Sequence, residues 1–110
     1  MAVLRGLLAA GLALAASSAL AQSRIQAEVL PPPPVPICAT CHGQLGLGNA
    51  PDAPHLAGQP KLYLIAQLRA FRSGLRKHEV MNVIAKTLSD EQIEAAAEWF
   101  STVQLEVRRP

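Results

Sequence analysis

The chain holds two cysteines, Cys38 and Cys41, and His42 follows the second directly. Two thiols at this spacing, with an imidazole beside them, admit four chemistries. A structural zinc site needs four ligands, commonly with a second pair at matched spacing. The other histidines, His55 and His78, stand singly. A dithiol redox module sits at a strand-to-helix turn in an alternating strand–helix pattern, and no segment here alternates as a strand does. A disulfide that closes so short a loop stabilises little. The fourth chemistry is covalent haem attachment, of which Cys-x-x-Cys-His is the specific signature. Two thiols add to two vinyl groups as thioethers, and the next residue is then held beneath the iron as its proximal ligand. The residues favour this fourth chemistry.

A low-spin electron-transfer haem needs a sixth ligand. Met81 is the sole methionine after Met1. Its thioether is a soft donor that favours ferrous iron and raises the potential. Filling a gap in the core is the plainer role for a methionine. His78 is the rival ligand and would give a lower potential, whereas His55 reads as an ordinary loop histidine.

The elements that must hold these groups come next. The chain has 110 residues and a net charge of +2. That length suggests one domain, and the charge carries no long basic run of the kind nucleic acid attracts. Residues 1–21 have one early charge at Arg5, an apolar run, and small residues ending at Ala21. This is the order of a secretory signal peptide. Residues 22–36 read as a spacer, with one or two helical turns capped by Ser23 and then the run "PPPPVP" over 31–36. Those prolines forbid helix and favour an extended path. Residues 37–110 remain for the folded domain.

Within that domain residues 61–73 read as a helix closed by Gly74. Tyr63, Leu64, Gln67, Leu68 and Phe71 share one face, and Ile65 and Leu62 interrupt the other. Residues 82–86 read as a short helix, with Met81 in the loop before it. The helix after Ser89 is the clearest. Ser89 and Gln92 form a capping box, and Leu88 and Ile93 a hydrophobic staple. Ile93, Ala96, Ala97, Phe100 and Val103 make its apolar stripe, with Glu94 and Glu98 outward. The fold class is all-α, with three to four short helices.

These segments together resemble class I c-type cytochromes, the small bacterial respiratory kind found with a single haem or as halves of two-haem proteins. The resemblance covers residues 37–100, through "CATCHG", "PHLAGQ", "YLIAQLRAFRSGLR", Met81 and "LSDEQIEAAAEWF". It implies short helices wrapped on one covalent haem c held by Cys38 and Cys41, with His42 and Met81 as metal ligands. It implies that the Pro54 carbonyl accepts the His42 Nδ1 proton. Leu56 then packs the haem edge. Tyr63, Gln67, Arg72 and Arg76 become candidates to meet the propionates or polar groups nearby.

Its function, on this resemblance, is electron carriage in the periplasm rather than enzymatic turnover. The partners are redox proteins: a quinol-oxidising complex, an oxidase, or a dehydrogenase whose cytochrome subunit this chain would be. A membrane enters only if the signal segment is retained. Arg69, Arg72, Arg76 and Lys77 form a basic region suited to acidic partners. One departure stands out. The family runs a full helix into the cysteine motif, packed across the last helix, and here residues 31–36 occupy its place. The N-terminal helix is therefore expected to be shortened or absent. The apolar arc of the last helix then needs a cover, either the Pro-rich segment folded back or a second protein, and without a partner the domain is expected to be marginal.

Overall fold

The computed structural model describes residues 30–110, and Pro31–Pro110 form one compact unit. The signal-peptide reading of residues 1–21 and the Ser23-capped turns lie outside the described residues. Four helices follow in order: α1 (Val35–His42), α2 (Lys61–Ser73), α3 (Glu79–Lys86) and α4 (Asp90–Ser101). Among the described residues there is no strand, and the all-helical expectation holds.

Each helix begins and ends for a local reason. α1 starts inside the proline run, at residues where the prolines were expected to forbid helix. Val35 and Pro36 occupy its first turn, where a missing N–H is no loss because those donors lack helical partners anyway. The Val35 N–H instead donates to the Pro32 carbonyl at 2.9 Å. α2 matches its expected span, and Gly74 ends it in the left-handed region at φ 82°, as a glycine after a helix commonly does. α3 starts three residues before its expected position and takes Met81 out of the loop into its first turn. The start is set by His78, whose Nδ1 accepts the Met81 N–H at 3.2 Å. Histidine is outside the usual capping set, so the sequence did not announce this helix start. α4 carries both bonds of the capping box. Ser89 Oγ accepts from the Gln92 N–H at 3.2 Å, and Gln92 Oε1 accepts from the Ser89 N–H at 3.0 Å.

The core gathers Val35, Leu64, Ile65, Leu88, Ile93, Ala97 and Phe100. α2 packs on both α3 and α4, and α1 packs on α4. The staple pair Leu88 and Ile93 is buried, as is the α4 stripe from Ile93 to Phe100. On α2 the buried arc differs from the expected one. Ile65 is 8% exposed and Tyr63 is 47% exposed, because a helix wedged between two neighbours buries a wider, rotated face. Gln67 is half-buried.

The cover over α4 comes from the chain itself. Pro34 and Val35 are buried, Val35 completely, in the same cluster as Ile93 and Phe100. The loop between α1 and α2 adds to it: the Trp99 Nε1–H donates to the Gln44 carbonyl at 3.1 Å, and the Gly58 N–H donates to the Phe100 carbonyl at 2.9 Å. Of the two covers expected for this arc, the Pro-rich segment folded back or a second protein, the described residues supply the first. The folded-back end of the proline run does it, since a helix started at Val35 brings one β-branched side chain onto α4.

Candidate functional site

α1 carries three of the predicted site residues within one turn. Cys38 and Cys41 are three apart on the helix and so share a face. Cys38 is half-buried and packs against the core, while Cys41 is exposed. Burial pushes the Cys38 thiol pKa up, and a backbone hydrogen bond opposes this in part. A thiol so placed is kept protonated at neutral pH, and conversion to a thioether removes the titrating group altogether.

His42 closes α1 and is 8% exposed. Its Nδ1–H donates to the Pro54 carbonyl at 2.9 Å. A carbonyl only accepts, so the proton must sit on Nδ1, and Nε2 keeps its lone pair for a metal. The loop that brings Pro54 there is tied back twice. Asn49 and Ala50 donate their N–H groups to the Cys41 carbonyl, and Leu56 and Ala57 donate theirs to the Gly46 carbonyl. Leu56 lies half-buried against the core. Among the described residues no group of three or more His, Cys, Asp or Glu side chains converges, so the zinc chemistry lacks a donor set. The donors present fit a covalently held haem: two thiols on one helical face and a buried imidazole with a single free nitrogen.

The remaining predicted residues separate into two groups. Met81 is half-buried in the first turn of α3, and the rival His78 has its Nδ1 engaged by the Met81 N–H. Arg76 donates to Gln67 Oε1 at 2.7 Å and lies 4.6 Å from the Phe71 ring centroid. Tyr63 is exposed. Arg72, read as a propionate partner, donates to the Leu88 carbonyl at 3.2 Å and to Asp90 at 2.7 Å. Arg69 shares the same carboxylate at 3.7 Å. Two of the four cations in the expected basic region therefore share the single charge of Asp90, a contact between α2 and α4 that a linear reading does not reveal.

Asn82 went unread in the sequence. Its amide bonds three backbone groups around the start of α3. An Asn four residues after a histidine carries no recognised signature, so nothing local pointed to it.

The description of the family Cytochrome c matches residues 37–104. The chain belongs to the cytochrome c family. It is a small class I c-type cytochrome, and the family's covalent haem c attachment falls on Cys38 and Cys41, with His42 beside them. It is similar to a protein of Stutzerimonas stutzeri named thiosulfate dehydrogenase electron acceptor, 44% identical over 72 residues, which covers 63% of this chain and 33% of that protein. It is also 41% identical over 68 residues to cytochrome c-554(548) of Halomonas halodenitrificans, covering 59% of this chain and 82% of that one. A solved cytochrome c4 of Acidithiobacillus ferrooxidans superposes with a TM-score of 0.57 at 41% identity, over 60% of this chain and 38% of that one. The cytochrome thus spans about a third of the length of the thiosulfate dehydrogenase electron acceptors it matches. The family's role is electron carriage.

Proposed function

We propose that this cytochrome is a periplasmic single-haem carrier. It passes one electron between a respiratory donor and an acceptor oxidase or reductase, with His42 and Met81 as the two iron ligands. The observation that carries the reading is the 2.9 Å bond from His42 Nδ1 to the Pro54 carbonyl, on the same helix as both thiols. When bound, the haem supplies a one-electron ferric–ferrous couple. Cys38 and Cys41 would hold it by thioethers. The Pro54 carbonyl keeps the His42 proton on Nδ1, fixes the ring, and raises the basicity of Nε2. The Met81 thioether sets a comparatively high potential. Leu56 excludes water near the ring, and Tyr63, Gln67 and Arg76 are the polar groups available to the propionates. Arg72 also ties α2 to Asp90. Periplasmic placement is supported by the signal-peptide order of residues 1–21.

A second reading is supported by the names of the relatives. Two of them accept electrons from thiosulfate dehydrogenase, which favours a periplasmic dehydrogenase as electron donor here. Mixing the ferric holoprotein with thiosulfate and a thiosulfate dehydrogenase, and separately with a quinol-oxidising complex, distinguishes the two readings by the rate of haem reduction.

The test of the carrier reading begins with acid–acetone extraction. The haem is expected to stay on the polypeptide, with one haem added to the chain's mass. The Met81→Ala holoprotein is expected to lose the weak near-infrared Met–iron band and to bind carbon monoxide, while His78→Ala keeps the band. A colourless zinc-bearing protein overturns the haem reading. Loss of the band in His78→Ala but not in Met81→Ala overturns the ligand assignment.

A further inference from the structure

Asn82 follows Met81 directly, and its side-chain amide is fully engaged. Its Oδ1 accepts the His78 backbone N–H at 2.8 Å. Its Nδ2 donates to the Phe71 carbonyl at 2.7 Å and to the Arg76 carbonyl at 2.8 Å. Both donors and the acceptor of one amide are used. Because the partners are two carbonyls and one N–H, the network itself settles which amide atom is oxygen. Three pieces of chain meet here: the last turn of α2, the connecting segment, and the residue that caps α3.

A second bracket acts on Met81 itself. The His78 ring accepts the Met81 N–H at 3.2 Å and stands edge-on to Phe71, with ring centroids 6.3 Å apart. α3 has 8 residues, too few for a helix to hold its own first turn in water by propensity. External bonds must therefore place Met81. The anchor they reach is α2, held in the core by Leu64 and Ile65 and linked by Arg72 to the Leu88 carbonyl and Asp90.

We infer that Asn82 is a positioning residue for electron transfer: its amide holds the first turn of α3, and Met81 with it, in register for the iron. The inference rests on the reading of Met81 as the distal ligand. A thioether is neutral and binds weakly compared with imidazole or thiolate, so its ligation competes with local opening of the segment that carries it. With the amide gone, opening becomes easier, Met81 leaves more often, and an outside ligand enters.

The test uses the ferric holoprotein and reads the rate of cyanide binding beside the near-infrared Met–iron band. Asn82→Ala removes all three bonds. Asn82→Asp keeps the acceptor for His78 and turns a second oxygen toward the two carbonyls. Ser89→Ala is the control, because it removes a helix cap of comparable worth on α4. Both Asn82 variants are expected to bind cyanide about tenfold faster, equivalent to about 1.4 kcal/mol and the scale of a net hydrogen bond. Ser89→Ala is expected to stay within about twofold of the wild type while lowering Tm. Wild-type rates in both Asn82 variants overturn the inference, and so does an equal acceleration in Ser89→Ala, which marks a global effect. Should neither Asn82 variant accumulate as holoprotein, proton exchange in the wild type decides. The Asn82 Nδ2 protons are expected to exchange at least about tenfold more slowly than those of exposed Asn49, and equal rates overturn the inference. Met81→Ala separates the two claims. If it leaves band and cyanide rate unchanged, the ligand reading fails and the inference with it. If it opens the iron while the Asn82 variants behave as wild type, only the positioning role fails.

Discussion

The His42–Pro54 bond depends on a residue that touches neither partner. Gly46 lies at φ 77°, and its carbonyl accepts the Leu56 N–H at 2.7 Å and the Ala57 N–H at 3.1 Å. A Cβ at this position would meet the Ala57 nitrogen and Phe100 Cδ1, each at 2.8 Å. Neither can retreat easily, since one is backbone and the other is wedged in the core. Gly46→Ala is expected to lower the unfolding free energy of the holoprotein by roughly 2–4 kcal/mol, through left-handed strain and overpacking together. Denaturant titration followed by haem absorbance measures it, and a loss under about 1 kcal/mol contradicts the close packing. The same displacement moves residues 54–57, so the Nδ1–H signal of His42 is expected to shift in NMR spectra of this variant. His42 and both cysteines were legible from sequence because their chemistry joins neighbours along the chain. Gly46 was not, since its constraint comes from Phe100.

Between elements, the join of α2 to α4 turns on one exposed carboxylate. Asp90 opens α4 and pairs with Arg72 at 2.7 Å and Arg69 at 3.7 Å. The Arg72 hydrogen bond, then its charge, and then Arg69 hold the Asp90 carboxyl below its ordinary pKa. A carboxyl depressed in the folded state contributes stability that is present above its unfolded pKa of about 3.9 and is lost as pH falls through the lower folded value. Asp90→Asn is therefore expected to melt below the wild type at neutral pH, with the gap closing below about pH 4. The contribution is modest because the pair is solvated and screened. A Tm gap that stays constant from neutral pH to about pH 3 would show that the ion pair is not its source. The span of α2 and the start of α4 were readable because Gly74, Ser89 and Gln92 are local stop and start signals, whereas Val103, read onto the α4 stripe, lies beyond the helix end at Ser101. α3 was read three residues short because its cap is a histidine, made effective only by Asn82 and Phe71 around it.

At the scale of the whole molecule, the first helix among the described residues is short, Val35–His42, and still covers α4. Val35 is 0% exposed and meets the core of α4, whereas Ile37, two residues on, is 50% exposed. Val35→Ala is expected to cost roughly 1–3 kcal/mol, from lost burial and the cavity left behind. Ile37→Ala is expected to cost less than about 1 kcal/mol. Thermal unfolding of the two holoproteins compares them, and equal losses would show that Val35 is not the cover of α4. For so small a domain a loss of this size is a large fraction of the total stability.

Residue identity alone determined the attachment chemistry, the helical class, both ends of α2 and the start of α4, because each depends on neighbours within about one helical turn. The Cys38–Cys41–His42 spacing needs no fold to be recognised, and the capping box at Ser89 is complete within four residues. Tertiary structure decided the rest. It paired Arg72 with Asp90 across α2 and α4. It widened the buried face of α2 to include Ile65 and left Tyr63 at the surface. It brought Val35, within a proline run, into the core cluster that holds Phe100, and it gave Asn82 its three partners. Most of these outcomes join residues on different elements, and the periodicity of one helix cannot say which neighbours will pack on it or where a long side chain will find its charge.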